Sequence, residues 1–300
     1  MYILLTGANG FLGRFFLKNL PTDYNVKTLS KSAGDYIVKL DQCIPAFNET
    51  YNIVVHLAGH SHSMPNNQIE NELFQKVNVF GTQNLLDGLT KSGIPRCFVF
   101  ISSVSVYGLD SGAGIDEKTK LKAANPYGLS KIQAEELVSE WCKKNNVICT
   151  ILRLPLVVGN YPPGNLGAMI KGIQKGYYFN IAGGRAQKSM VLASDVAQCI
   201  LKVSQIGGIY NLTDGYHPSF NELSRTISLQ LGRKFVPNMP LLFAKILAKI
   251  GDLIGDKFPI NSNKLVKIIA PLTFDDTKAR KAFGWNPTPV LKGFKIEENA

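Results

Sequence analysis

Metal-ligating side chains are scarce in this chain of 300 residues. It holds five cysteines and four histidines, with no Cys-x-x-Cys pair, which sets aside zinc-ribbon scaffolds. Cys43, Cys97, Cys142, Cys149 and Cys199 are odd in number and widely spaced, so reduced thiols and a cytoplasmic setting are expected. His60 and His62 sit close together, but without a neighbouring Cys or acidic cluster they read as solvated or locally bonded imidazoles, and no metal is expected. No uninterrupted apolar run is long enough to span a bilayer. The opening MYILLTGANG turns glycine-rich at once and lacks a cationic leader, so it is a poor signal peptide. Acid is also short: 22 Asp and Glu face 33 Lys and Arg, a formal net charge of +11 that draws anionic ligands toward the surface. The basic residues are scattered and form no run interleaved with aromatics, so nucleic acid is not an expected partner.

What remains is a folding chain, with 45% hydrophobic and 18% charged residues. Apolar strands are expected at Tyr2–Thr6, Tyr24–Leu29, Tyr36–Leu40, Ile53–Leu57, Arg96–Ser102 and Val147–Leu154. Helical segments fall between them at Phe11–Leu20, Ile69–Thr90 and after Asn125. That alternation predicts an α/β fold with a doubly wound parallel sheet covered on both faces. The regularity weakens beyond Gly159, where helices near 165–175, 219–231 and 241–250 suggest a smaller C-terminal lobe. Residues 1–160, completed near 190–215, are expected to form a dinucleotide-binding domain, and 161–300 mainly a discontinuous substrate lobe with soft boundaries.

The stretch TGANGFLG places Gly7, Gly10 and Gly13 between the first strand and the first helix. Gly7 suits the tight turn, Gly10 lets a pyrophosphate approach the backbone, and Gly13 leaves room for close helix packing. The helix start adds amides that favour phosphate. An acid for the adenosine ribose is due near the end of the second strand, yet that strand runs into Leu29, Ser30, Lys31 and Ser32, and the first acid is Asp35. Ser30 and Lys31 match the extra phosphate of NADP; NAD stays open, because backbone contacts can position a ribose.

In NPYGLSKIQAEEL, Tyr127 and Lys131 stand four residues apart, which makes them neighbours on one helix face. These motifs, together with HLAG at His56–Gly59, NVFGTQN at Asn78–Asn84, SSVSVYG at Ser102–Gly108 and FGWNP at Phe283–Pro287, occur in one order. In that order the chain resembles the extended short-chain dehydrogenase/reductase family, and within it the nucleotide-sugar epimerases and reductases.

The resemblance implies a Rossmann-type fold and an NAD or NADP cofactor. It implies that Gly7, Asn9, Gly10, Phe11, Leu12, Gly13, Ser30 and Lys31 contact the cofactor, with Leu57, Ala58 and Gly59 passing along it. It implies that Asn78 supports that loop, that Tyr127 is the acid/base, and that Lys131 is its electrostatic partner and ribose contact. Ser103 becomes the hydroxyl that orients the reacting sugar oxygen. Nearby positive charge favours phenolate over phenol, as an activated acid/base requires.

Dehydratases of this type place Asp-Glu after the hydroxyl residue, where this chain has Val104 and Ser105, so dehydration is disfavoured. A nucleotide-diphosphate sugar 4-epimerase is expected, with an NADPH-dependent 4-ketoreductase and a non-catalytic dinucleotide-responsive binding protein as alternatives. On the substrate side Leu156 stands where asparagine is common and Leu192 where histidine is common. Asn165 and Leu166 fall in the diphosphate-contact segment, and Lys188, at a position often taken by arginine, attracts a diphosphate as a point charge. Arg185 is a further anion contact; Asp195, Arg280 and Trp285 are expected to support packing. No later phosphate-binding arginine precedes Ala270-Pro271-Leu272.

A possible homodimer is implied by the family alone. The segment Pro240–Phe258 mixes apolar residues at helical spacing with lysines, which fits either a membrane surface or, by the reading favoured from sequence, a helix packed on the smaller lobe or covering a ligand cleft.

Overall fold

The computed structural model describes residues 1–61, 68–255, 258 and 260–296, the side chains of 68–70 apart. His62 lies outside the described residues. Among these residues seven strands form one parallel sheet: β1 (Tyr2–Thr6), β2 (Asn25–Ser30), β3 (Tyr36–Ile37), β4 (Ile53–His56), β5 (Cys97–Ser103), β6 (Ile148–Leu154) and β7 (Gly208–Asn211). Their order across the sheet is β7-β6-β5-β4-β1-β2-β3, with register pairs such as Leu5–Val55 and Leu5–Thr28 on the two sides of β1. The strand order reverses at β1 and β4, and the crevice beyond their carboxyl ends is the ligand position of such sheets.

The period of two along each strand divides the core between the faces. Ile3, Leu5, Ile53, Val55, Cys97 and Val99 enter one apolar cluster, whereas Leu4, Val54, Phe98 and Phe100 enter the other. Helices Phe11–Asn19 and Ala193–Ser204 cover the first face with Phe16, Val196 and Ile200. The second face is covered by Gly81–Ser92 and Pro126–Lys144, through Leu85, Leu89, Ala134 and Val138. Each fully buried Val, Leu, Ile or Phe among them contributes about 1.5–3 kcal/mol from area removed from water.

A separate cluster around Leu166, Ile173, Leu223 and Phe294 belongs to the C-terminal elements, where helices Gly164–Lys175 and Phe220–Gln230 pack. Short strand pairs tie these elements in: Leu156–Val158 with Met190–Leu192, Gly112–Ile115 with Leu272–Phe274, and Asn180–Ile181 with Asn238–Met239.

Three expectations change. The third strand stops at Ile37 rather than Leu40, because only Leu29 and Ser30 offer it register partners. The helix expected to begin at Leu241 runs on to Ile254. The long crossover helix is broken: α-helix Gln68–Phe74 passes into a π-helical turn, Gln75–Phe80, before helix Gly81–Ser92. A π turn inserts one residue into the ladder and commonly marks a functional site. This one carries Asn78.

Candidate active site

The loop after β1 is shaped by backbone contacts that exclude side chains. Gly7 has φ +72°, and a Cβ there would lie 2.7 Å from the Ala58 nitrogen. A Cβ on Gly13 would strike the carbonyl oxygens of Gly7 and Ala8, so helix Phe11–Asn19 lies directly on the turn. Gly10 opens that helix, no side chain caps it, and its first amides are left for an anion. Leu12 packs on the core cluster, and the Phe11 ring stands edge-on to Phe15 at 5.4 Å. An uncapped helix start behind a turn flanked by Gly7 and Gly10, at the reversal of strand order, fits a dinucleotide pyrophosphate.

At the end of β2 the Ser30 hydroxyl donates to the Ala33 carbonyl at 2.5 Å and accepts from the Ala33 and Ser32 amides. Asn9 Nδ2 donates to Ser30 Oγ at 3.1 Å and to the Ala33 carbonyl at 3.0 Å, fixing the turn to the glycine loop. Ser30 therefore spends its one hydrogen inside the turn, and Lys31 is the exposed cation beside it. Asp35 is held by the Thr28 amide and hydroxyl at 2.9 Å each, which keeps its carboxyl below the usual range and turns it into a support for β2.

Beyond β4 a one-way chain of hydrogen bonds builds the opposite wall. The Thr82 hydroxyl donates to the Asn78 carbonyl at 2.7 Å, so its oxygen must accept from His56 Nε2 at 3.0 Å. His56 Nδ1 is thereby the acceptor and takes the Thr6 hydroxyl hydrogen at 2.6 Å, while Thr6 Oγ1 accepts from the Ala58 amide at 3.1 Å. Burial drives the His56 pKa down to about 3, helped by the charge of Lys131, so the ring is neutral. Asn78 completes the wall: its Oδ1 accepts from the His60 amide at 2.7 Å, and its Nδ2 donates to the His60 carbonyl at 3.1 Å and to Ser130 Oγ at 2.9 Å. Leu57, Ala58 and Gly59 are held between these anchors. A Cβ on Gly59 would lie 3.2 Å from Asn78 Oδ1 and 3.8 Å from Lys131 Nζ.

The Pro126–Lys144 helix starts where its sequence dictates. Asn125 Oδ1 accepts the Gly128 amide at 2.8 Å, and Pro126 occupies a first-turn position that needs no amide donor. Gly128 then allows close approach, since a Cβ there would meet the Ser105 carbonyl at 2.7 Å. That contact brings the first turn of the helix to the end of β5, where the Ser103 hydroxyl donates to Ser105 Oγ at 3.1 Å and accepts from the Ser105 amide at 3.2 Å, with Tyr127 beside it. Tyr127 is partly buried, its ring 5.7 Å from Phe74. Burial raises its pKa and the Ser103 side chain beside it opposes the rise.

Lys131 is buried at 6% exposure. Its Nζ donates to the Ile101 carbonyl at 2.7 Å and lies 4.3 Å from the centre of the Phe100 ring. Burial lowers its pKa to about 8, partly offset by Glu135. The Lys131 ammonium is turned to the β5 backbone, and burial dominates at Tyr127.

Sequence reasoning missed the layer beneath. Glu135, four residues beyond Lys131, forms a buried ion pair with Arg153 of β6 at 2.6 Å and accepts from Ser102 Oγ at 2.5 Å. Arg153 also donates to the Tyr107 hydroxyl at 3.1 Å, which donates to Asn211 Oδ1 at 2.8 Å. The signal was present: Tyr127, Lys131 and Glu135 recur every four residues on one face.

The substrate-side residues are more dispersed. Asn165 is exposed at the start of helix Gly164–Lys175, which no side chain caps, while the Leu166 side chain is buried in the C-terminal cluster. Arg185 is exposed. Lys188 donates to the Lys267 carbonyl at 2.8 Å, and burial lowers its pKa. Leu156 flanks the same cluster, and Leu192 is part of it. Three residues support packing as expected. Asp195 accepts the Thr288 amide at 2.6 Å, Arg280 pairs with Asp276 at 2.7 Å, and Trp285 Nε1 donates to the Thr213 carbonyl at 3.0 Å. A cavity of about 650 Å³ near Asp214, His217 and Arg280 is lined by none of the sequence-predicted catalytic or cofactor residues. Among the described residues no group of His, Cys, Asp and Glu forms a metal cluster, and the five cysteines are free thiols.

The profile described as the NAD dependent epimerase/dehydratase family matches residues 3–213. The chain belongs to this family; it is an enzyme of that class, and its cofactor is NAD or NADP. Among curated relatives, it is 29% identical to the N-acetyl-alpha-D-glucosaminyl-diphospho-ditrans,octacis-undecaprenol 4-epimerase of Escherichia coli O157:H7, over 97% of this chain and 92% of that protein. It is 28% identical to the UDP-glucose 4-epimerase of Vibrio cholerae, over 98% and 93%. In fold it is similar to the UDP-glucose 4-epimerase of Thermotoga maritima solved with UDP-glucose, with TM-score 0.75 and 21% identity over 98% of this chain and 96% of that one. Among the described residues no helix is long and apolar enough to cross a membrane.

Proposed function

We propose that the protein is a 4-epimerase of sugars carried on a nucleoside diphosphate, acting by reversible hydride transfer through a 4-keto sugar. The observation that carries this reading is the placement of Tyr127, in the first turn of its helix, beside Ser103 at the end of β5, with Val104 and Ser105 following where elimination chemistry needs acid. Two relatives that match 97% and 98% of this chain are 4-epimerases, which supports the same choice.

When bound, NAD or NADP would supply the hydride acceptor and donor for the sugar C4. Gly7, Asn9, Gly10, Phe11, Leu12 and Gly13 hold the dinucleotide on one wall, with Lys31 at its adenosine end, and Leu57, Ala58, Gly59 and Asn78 shape the other. Ser103 orients the sugar oxygen and Tyr127 takes its proton. Lys131 ties the Tyr127 helix to β5 through the Ile101 carbonyl and offers its remaining hydrogens to the ribose. Residues 1–160 with 190–215 bind the dinucleotide, whereas 161–300 mainly bind the sugar carrier, with Asn165, the Leu166 amide, Arg185 and Lys188 toward its diphosphate.

Incubation with a panel of UDP-sugars and related sugar nucleotides, followed by chromatographic separation of C4 epimers, tests this. Because one relative acts by its name on a polyprenol-linked diphosphate, such a sugar belongs in the panel. Retained cofactor with no interconversion of any member overturns the reading.

A 4-ketoreductase using NADPH is the second reading, favoured by the end of β2: Asp35 is locked onto Thr28 and Lys31 is exposed. Stoichiometric NADPH oxidation on adding a 4-keto sugar selects it.

A further inference from the structure

Helix Leu241–Ile254 is built inside out. Its buried residues are the small ones, Ala244, Ala248 and Gly251, and they pack on helix Ser262–Ile269 around Leu265. A Cβ on Gly251 would strike the Ile260 carbonyl, so the packed side touches at backbone distance. The large apolar residues face outward: Leu253 is 89% exposed and Leu242 69%, with Phe243, Ile246, Ile250 and Ile254 also exposed. At 3.6 residues per turn these six fall on one contiguous arc about 120° wide, bordered on one edge by Lys245 and Lys249. A helix serving only the fold turns its apolar stripe to the core. Here the stripe faces away from it. Phe179 and Met239 extend the surface across a groove of about 360 Å³ that they line with Phe243 and Ile246.

Charge identifies the occupant. Lys245 and Lys249 are exposed along one edge of the arc, and the one acid within 241–254, Asp252, is taken up by the Ser262 amide and hydroxyl. A second copy would bring like charge against like charge. Anionic headgroups neutralise it, each lysine near such a surface adding to the attraction. The helix is 14 residues long, which suits lying in an interface rather than crossing it.

We propose that helix Leu241–Ile254 docks the enzyme on an anionic phospholipid bilayer, its six outward apolar residues in the acyl boundary and Lys245 and Lys249 among the headgroups. A docked enzyme has its C-terminal elements against the membrane, where diphosphate sugars on lipid carriers reside. The inference goes beyond the epimerase reading, and its test uses no turnover, so either can fail alone.

The test is flotation of the full chain with vesicles of phosphatidylcholine alone or mixed with phosphatidylglycerol. The wild type is expected to float with the mixed vesicles at low salt and to be released by high salt. Ile246→Asp with Leu253→Asp should lower the bound fraction about tenfold or more, and Lys245→Glu with Lys249→Glu about tenfold on mixed vesicles. All four positions are exposed, so thermal unfolding should match the wild type. Wild type that floats with neither vesicle, equal flotation with both, or apolar variants that float as wild type each overturn the proposal. So does light scattering that shows a dimer split by Leu253→Asp with no vesicle binding, since a second copy then covers the helix.

Discussion

Lys131 donates to the Ile101 carbonyl, 2.7 Å from Nζ, and so ties the Tyr127 helix to the strand that ends in Ser103. The ammonium is buried, and its pKa falls from 10.5 to about 8. The unfolded chain therefore binds more protons than the folded one between these values. The penalty is complete below pH 8 and lifts as pH rises toward 10.5. Relative to Lys131→Met, the wild type should gain up to about 3 kcal/mol across that window, read from paired urea titrations. A flat difference would show that the lysine keeps an ordinary pKa in the fold.

Replacing Tyr127 by Phe removes the hydroxyl beside Ser103 and leaves the ring beside Phe74. Turnover should drop by roughly two to four powers of ten, the span of a positioned acid/base, while dinucleotide binding stays near wild type. Steady-state kinetics with a fluorescence titration of cofactor separates the two effects.

The Glu135–Arg153 pair is buried, with side-chain exposures of 5% and 4%. Arg153→Met leaves a carboxylate bonded only to Ser102 in the interior and should cost about 3–5 kcal/mol. Adding Glu135→Leu should recover a large part of that loss. Chemical denaturation of the two single variants and the double variant closes the cycle. A double variant no better than the singles would assign the loss to packing.

At the end of β2, Ser30 is committed to its turn and Lys31 stands free of it. Lys31→Glu should therefore weaken NADP far more than NAD, by about tenfold or more if the ammonium meets the extra phosphate. Isothermal titration with each dinucleotide decides it, and equal losses would remove Lys31 from phosphate reading.

The sheet was legible because burial on both faces writes near-continuous apolar runs such as YILLT and IVVH. The glycine loop and the Tyr127 helix were legible for a related reason, since close approach and an Asn-Pro start leave few residue choices. The π turn was not, because inserting a residue into a helix changes the hydrogen-bond ladder and not the composition. Glu135 and Arg153 were hidden by distance: the residues lie 18 apart in the chain and meet only when β6 docks under the helix. The outward face of helix Leu241–Ile254 was visible as an amphipathic pattern, yet periodicity alone cannot say which side meets the protein. The small residues on the packed side settle that.

The His56 wiring has a bearing on sequence change. Five groups, from the Ala58 amide through Thr6, His56 and Thr82 to the Asn78 carbonyl, pass four hydrogens in a single direction. Such a series has polarity, like a row of magnets, and a lone replacement that reverses one link sets two like ends face to face. Drift at these positions should therefore proceed in compensated pairs, and a conservative exchange at Thr82, remote from the sugar, should reach the crevice through the loop it secures.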